Sequence, residues 1–324
     1  MKKTPFQIAL GILIILYSCE KDKVHISKNN LETFFNDNKK TSTFFQVNIK
    51  KDTTVTDGSV FLTIPAHAFG AKADSTILIA LKSVTAKSEM VLERKPTSTL
   101  YQPLISGGEM QLRVMDTDSQ KVEQKKTIEV GVWIDEETIY EDMEVFEGSE
   151  NECGEFYWNN QNIPFFNTVI DNEPAYMAEM DNLNVDWINC DRFYDSGVPQ
   201  VNFTIELNEE LLYESLEIFL VFEDINSVLT VYSVSDWSHW NGQDLESPLS
   251  NCLPQIEERE RMVSFEAVNI PEQYKCTIFS MAEDVDGQLY MSKKRMTTQK
   301  NKKERIQFDP VSEKELLKAI KALD

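Results

Sequence analysis

Phe45-Gln-Val-Asn-Ile49, then Asp57-Gly58, then Val60-Phe-Leu-Thr-Ile64: these short runs decide how the chain folds. Phe45, Val47 and Ile49 alternate with polar residues, as do Val60, Leu62 and Ile64. A period of two is that of a half-buried strand, and Asp-Gly between two such runs is a turn, so the spacing predicts a hairpin leading into a sheet. Ahead of it, residues 31–36 read as a short helix. Beyond it, residues 77–81 and 110–115 continue as strands, the second entered through Gly107-Gly108, and Ile128, Val130, Val132 and Ile134 alternate clearly. Residues 44–149 are therefore expected to form an antiparallel β-sandwich.

The pattern then lapses. Residues 150–191 are rich in Asn, aromatic residues and acids and contain Pro164 and Pro174, which predicts an irregular segment at a domain junction. Alternation returns with Val201, Phe203 and Ile205. Apolar runs at 216–222, 228–234, 257–268 and 275–282 follow, and Asp284-Val-Asp-Gly287 reads as a turn before 287–292. Residues 192–309 are expected to form a second sandwich. In the last stretch, 310–324, Ser312 and Glu315 make a capping box, and Leu316, Leu317, Ile320 and Leu323 share one helical face. That helix is expected to dock on the protein's own sheet. The fold class is mainly β, with two antiparallel β-sandwich domains, and a 324-residue chain is long enough for both.

At the start, Lys2 and Lys3 precede an apolar run over residues 8–17, shorter than the ~20 residues that span a bilayer. This is the layout of an export signal. The run ends Leu16-Tyr17-Ser18-Cys19, which resembles the lipobox of bacterial lipoproteins. The resemblance implies removal of a signal peptide, residues 1–18, and acylation of Cys19. Several acyl chains, each methylene worth ~0.8 kcal/mol, hold a protein on a membrane lastingly. Residues 19–43 then form a tether that includes the short helix. Lys21-Asp22-Lys23 is similar to the surface-export signal of some Gram-negative lipoproteins, so an outer-membrane, lipid-anchored chain is expected, with the cell surface and the periplasmic face both open.

A second resemblance covers residues 45–192. Gly58-Ser-Val-Phe-Leu-Thr-Ile-Pro-Ala-His-Ala-Phe69 and Leu104-Ile-Ser-Gly-Gly-Glu-Met-Gln-Leu112 resemble the ZU5-type β-sandwich of many bacterial lipoproteins, and Asp142-Met-Glu-Val-Phe-Glu-Gly148 and Trp187-Ile-Asn-Cys-Asp-Arg192 look like recurring blocks of the same proteins. Such modules imply interaction or scaffolding and bring no catalytic residues with them.

The formal charge is −22, which repels nucleic acid. Between residues 127 and 258 the sole basic residue is Arg192, whereas 292–305 holds Lys293, Lys294, Arg295, Lys300, Lys302, Lys303 and Arg305. This reads as an acidic solvated middle and a lysine-guarded strand edge, with an ion or partner site as the alternative. Cys153, Cys190, Cys252 and Cys276 are an even set in an oxidising compartment, which predicts disulfides. Sequence order suggests Cys153 with Cys190 and Cys252 with Cys276, and other pairings stay open because spacing does not decide.

No motif of catalysis stands out. His25, His67 and His239 are the only histidines, there are no C-x-x-C pairs, and no zinc or other cofactor site is predicted. Ser235, Asp236 and His239 share one loop, too close in sequence for a triad. Asp284 and Asp286 lack the further ligands of a calcium loop, so a hairpin turn is expected. The patch holding Trp237, His239 and Trp240 is a candidate ligand surface, where flat rings stack on a sugar or a protein anchor, or alternatively an aromatic plug on the sheet. The leading expectation is a non-enzymatic, membrane-anchored protein that binds a protein or envelope component. A surface glycan-binding module and a carboxylate-dependent hydrolase are the alternatives.

Overall fold

A computed structural model describes residues 30–70, 76–99, 102–134, 139–150, 156–181, 186–194, 197–207, 213–231 and 264–324. The protein is mainly β, two sandwiches with a short C-terminal helix. In the N-terminal sandwich the outer sheet runs, in spatial order, Phe166–Ile170, Glu173–Met180, Ile128–Trp133, Val60–Ile64, Thr53–Asp57. The inner sheet runs Thr43–Asn48, Thr76–Val84, Leu104–Met115, Trp187–Phe193, Glu144–Glu150, Phe156–Pro164. Leu62, Val130 and Tyr176 of the outer sheet meet Ile79, Leu112 and Ile188 of the inner one in a buried core.

Two turns sit differently from the sequence expectation. Asp57-Gly58 joins Thr53–Asp57 to Val60–Ile64, with Gly58 at φ +55°, while Thr43–Asn48 crosses to the other sheet and pairs with Thr76–Val84. Gly107-Gly108 lies inside the strand Leu104–Met115, at a bulge where the register against Cys190 and Asp191 shifts. Gly108 has φ +147°, which a side chain would strain.

Residues 150–191 are not an irregular junction. Their described part supplies Phe156–Pro164, Phe166–Ile170, Glu173–Met180 and the start of Trp187–Phe193, all in the N-terminal sandwich. Pro164 closes an edge strand and Pro174 lies next to the start of its own, two positions where a missing N–H is tolerated.

The C-terminal sandwich has eight strands among the described residues. Its inner sheet runs Val228–Thr230, Tyr213–Phe222, Lys275–Asp284, Leu289–Thr297, Asp309–Pro310, and its outer sheet Ser264–Pro271, Gln200–Leu207, Lys303–Ile306. The last of these pairs in parallel with Gln200–Leu207, the one departure from antiparallel order among the described strands. Phe203, Ile205, Leu220 and Ile278 fill the core between the sheets.

A third core joins the sandwiches. Three helices lie in it: α1 (Asn30–Asn38), α2 (Lys87–Glu93) and α3 (Glu313–Lys321). Their buried residues Phe34, Met90, Val91, Leu316 and Ile320 pack with Trp158 and Trp187 from one inner sheet and Phe219 and Phe279 from the other. Each large apolar side chain so buried contributes ~1.5–3 kcal/mol. Hydrogen bonds reinforce the layer: Thr97 N–H donates to Val228 O at 2.6 Å and Ser106 N–H to Asn226 O at 2.9 Å.

The helix ends explain their places. At α1, the buried carboxylate of Glu283 accepts the N–H groups of Asn30 and Leu31 at 2.8 and 2.9 Å, which satisfies two orphan donors from another element. At α3, Ser312 and Glu315 form the capping box, and Asp324 accepts from Ser88 N and Oγ of α2 at 2.9 and 2.6 Å. The terminal helix thus docks within the protein, in the middle core rather than on one sheet face.

No disulfide is formed among the described residues. Cys190 and Cys276 are free thiols, the first in the core of the N-terminal sandwich and the second in that of the C-terminal one. Alternation turns both inward, where an apolar surrounding suits a thiol. Burial pushes Cys190 well up and Cys276 to about 12, so neither is a nucleophile. Cys153 and Cys252 lie outside the described residues.

Candidate functional site

Between the two sandwiches, at the edge of the middle core, a cleft of about 990 Å³ opens. Its floor is Lys82, Phe156 and Trp187 of the N-terminal inner sheet with Glu93 and Lys95 from the end of α2. Its walls are the outer side of α1 and residues 213–218 of the opposite inner sheet. That volume is within the range of small-molecule sites.

Backbone geometry aims the charged residues. Glu89 holds the start of α2 by accepting from Thr85 and Ala86 N–H at 2.9 and 3.3 Å. The helix ends on Arg94, in the left-handed region at φ 56°, with Arg94 N–H on Val91 O and Lys95 N–H on Met90 O. This reversal fans three consecutive side chains apart. Glu93 accepts from Lys82 at 2.6 Å, both side chains almost wholly buried. Arg94 turns to Glu32, to Glu217 at 3.4 Å and to the Phe35 ring. Lys95 lays its ammonium 3.7 Å from the Phe156 ring centre and 5.6 Å from that of Trp187, while Lys82 lies 4.8 Å from Trp187. Ammonium on ring faces is favourable by ~0.5–2 kcal/mol.

One polar atom on this floor is left over. Glu93 Oε1 is buried without a hydrogen-bond partner. Lys95 contacts Glu150 at 3.7 Å, beyond hydrogen-bond reach, and burial pulls its ammonium down from the ordinary lysine value.

Beneath the cleft, outside its lining, a polar row crosses the inner sheet. Ser106 Oγ donates to Asn189 Oδ1 at 3.0 Å, and Asn189 Nδ2 to Asp191 Oδ2 at 2.6 Å. Both Glu109 carboxyl oxygens and Asp191 Oδ1 have no partner and the residues are fully buried. Burial and then the nearby Asp191 push Glu109 well above the carboxylate range, and burial does the same to Asp191. Folded values above unfolded ones mean a stability contribution that is complete below pH ~4 and is lost as pH rises. Glu109→Met is therefore expected to gain on the wild type by about 1.4 kcal/mol per pH unit above that point, until the folded value is passed. Urea unfolding at pH 5, 6 and 7 measures this, and a pH-independent difference would refute the buried proton.

The residues singled out from sequence fall elsewhere. Cys19, Trp237, His239 and Trp240 lie outside the described residues. Asp284 is occupied by its own turn, accepting from Asp286 and Gln288 N–H at 2.9 Å each and from Tyr290 Oη at 3.0 Å. The basic stretch is ion-paired along a sheet edge: Lys294 and Lys302 to Glu304 at 2.6 Å each, Arg295 to Glu223 at 2.8 Å, and Lys303 and Arg305 to Glu206. The cleft residues themselves are missed by motif reading. The one local signal is Lys82, a lysine inside the largely apolar run of Thr76–Val84.

No protein-family model and no curated protein matches the chain. Among solved structures it is similar to gamma-CGTase from Alkalophilic bacillus clarkii, at 9% identity and a TM-score of 0.19, over 83% of this chain and 41% of that one. The chain spans less than half of that protein's length, and a likeness so slight assigns neither fold nor activity.

Proposed function

We propose that this chain is a lipid-anchored envelope protein, held to the outer membrane through Cys19, that binds a ligand in the cleft between its sandwiches. The observation that carries the reading is the cleft itself, about 990 Å³ between the sandwiches, with the Lys95 ammonium on its floor set against Glu150 and the Phe156 ring. The anchor rests on Leu16-Tyr17-Ser18-Cys19.

A binding role is favoured over hydrolysis by the position of the acids. Of the carboxylates with raised proton affinity, Glu109, Glu147 and Asp191, none lines the cleft, and Glu109 and Asp191 are fully buried, so a substrate there would not touch them. Glycan binding through Trp237 and Trp240 stays a separate proposal on residues outside those described.

Both halves of the reading can be tested in cells. Labelled palmitate should enter the wild type and not Cys19→Ser. A photoreactive benzophenone side chain at Gln111, which lines the cleft, should form an adduct with an envelope component, whereas the same group at the exposed Asp118 should not. Identical adducts from both positions would remove the cleft from the account.

A further inference from the structure

At one end of the N-terminal outer sheet lies Phe166–Ile170, Phe-Asn-Thr-Val-Ile, paired on one side with Glu173–Met180 and, among the described residues, with no strand on the other. A row of unpaired N–H and C=O groups is a template for another strand, and proteins blunt such edges with charge, proline or a bulge. Other sheet ends of this molecule carry those devices. Lys303–Ile306 has Lys303 and Arg305, Asp309–Pro310 has a proline, and Thr43–Asn48 stands between Lys39-Lys40 and Lys50-Lys51. Phe166–Ile170 has no charge, no proline and an unshifted register. Its Phe166 and Val169 are 56% and 68% exposed, in a chain of net charge −22.

The turn fixes which backbone groups are free. Asp171 and Asn172 both have positive φ, 54° and 70°, as in a two-residue type I′ hairpin, and Ile170 lies opposite Glu173. Residues flanking such a turn bond to each other, and so does every second pair after them, which directs the N–H and C=O groups of Ile170, Thr168 and Phe166 to Glu173, Ala175 and Met177. The next strand agrees: Pro174 O, at the position between, accepts from Ile134 N–H on its far side at 3.1 Å. Asn167 and Val169 therefore point their N–H and C=O groups out of the sheet.

We propose that this edge pairs with the same edge of a second copy of the chain, antiparallel about a two-fold axis at Thr168, which doubles the five-stranded sheet. In that register Asn167 exchanges backbone hydrogen bonds with the second copy's Val169, and Val169 with its Asn167, so every outward group of the strand is satisfied. On one face Phe166 meets the second copy's Ile170, an aromatic against a β-branched side chain, and Thr168 meets Thr168, pairs of the kind that stabilise antiparallel sheets. On the other face Asn167 covers the exposed Val169. The next charge along the chain, Asp171, falls at opposite ends of the pair, so two acidic copies meet where neither is charged. It is this match of the strand to itself that favours a second copy over a foreign strand. So short a pair buries less than the ~1,200 Å² of a stable complex, and the dimer is concentration-dependent.

Cysteine cross-linking and equilibrium sedimentation of the full chain in detergent test this. Thr168 faces itself at a position without backbone hydrogen bonds, where Cα atoms are ~4.5 Å apart, within disulfide reach. Thr168→Cys should therefore form a covalent dimer under mild oxidation. Phe166→Cys, whose twin would lie four residues along the strand, ~13 Å away, should cross-link no faster than the wild type. In sedimentation the wild type should self-associate as its concentration rises. Thr168→Lys, which sets like charges face to face, should weaken the dimer by at least about tenfold while melting near the wild type. Equal cross-linking at both positions, a wild type that stays monomeric into the millimolar range, or a dimer that survives Thr168→Lys would overturn the proposal. An adduct of Thr168→Cys with a different envelope protein in place of itself would give the edge to a foreign strand and overturn the second copy. None of these positions lines the cleft, so the Gln111 adduct decides the cleft reading independently.

Discussion

Lys82→Met is expected to destabilise the protein by about 3–5 kcal/mol, the cost of breaking a buried ion pair from one side. Lys82 and Glu93 have side chains that are 5% and 4% exposed and meet at 2.6 Å. Methionine keeps most of the stem volume against Trp187, so the loss reports charge rather than a cavity. What remains is a Glu93 carboxylate with Oε1 already unpartnered and Oε2 newly so. The double variant Lys82→Met with Glu93→Leu should return to within about 1–2 kcal/mol of the wild type or exceed it, because no charge is then left buried. Urea unfolding of the four proteins of this cycle gives the coupling energy. A single-variant loss below about 1 kcal/mol, the size of an exposed pair, would show that water reaches the floor.

How much of this was legible in sequence depends on which faces of each sheet are covered. Gln200–Leu207 belongs to an outer sheet, with one face in solvent, and its residues alternate between buried and less buried as its sequence does. Inner strands are covered on both sides. Lys275–Asp284 is buried at eight successive positions and Trp187–Phe193 at five, so the first reads as an apolar run and the second, which mixes Asn189 and Asp191 with Trp187 and Ile188, reads as irregular. That is part of why residues 150–191 read as a junction: Asn189 and Asp191 are buried in the row under the cleft, and no local rule marks them as strand. The cleft was less legible still. Lys82, Glu93, Lys95, Phe156 and Trp187 come from separate segments and meet through packing of the sandwiches on three helices. The patch at Trp237, His239 and Trp240 attracted notice because its residues are neighbours in sequence, a criterion that a site assembled by packing does not meet.

The same packing makes the second large effect. Phe34→Ala, a change on the one-turn-buried face of α1, is expected to lower the stability of the whole protein by about 3–5 kcal/mol. Phe34 is 1% exposed and sets its ring edge-on to Phe35 at 5.8 Å, in a core that includes Trp158 of one sandwich and Phe279 of the other. Alanine would leave a void lined from both sides. The backbone around it cannot collapse freely, since Glu283 fixes the start of the helix and Asn38 Nδ2 on Phe34 O, at 2.8 Å, fixes its end. Because the core is shared, the two sandwiches should unfold together in the wild type, and the variant should shift that one transition as a whole. Fluorescence and far-ultraviolet circular dichroism would follow different parts of the molecule: coincident, equally shifted melts fit a shared core. A shift confined to one probe would mean that the sandwiches are independent units and that the middle layer merely lies between them. In that case the cleft walls would be free to move apart, and the lining would not be held ready for a ligand.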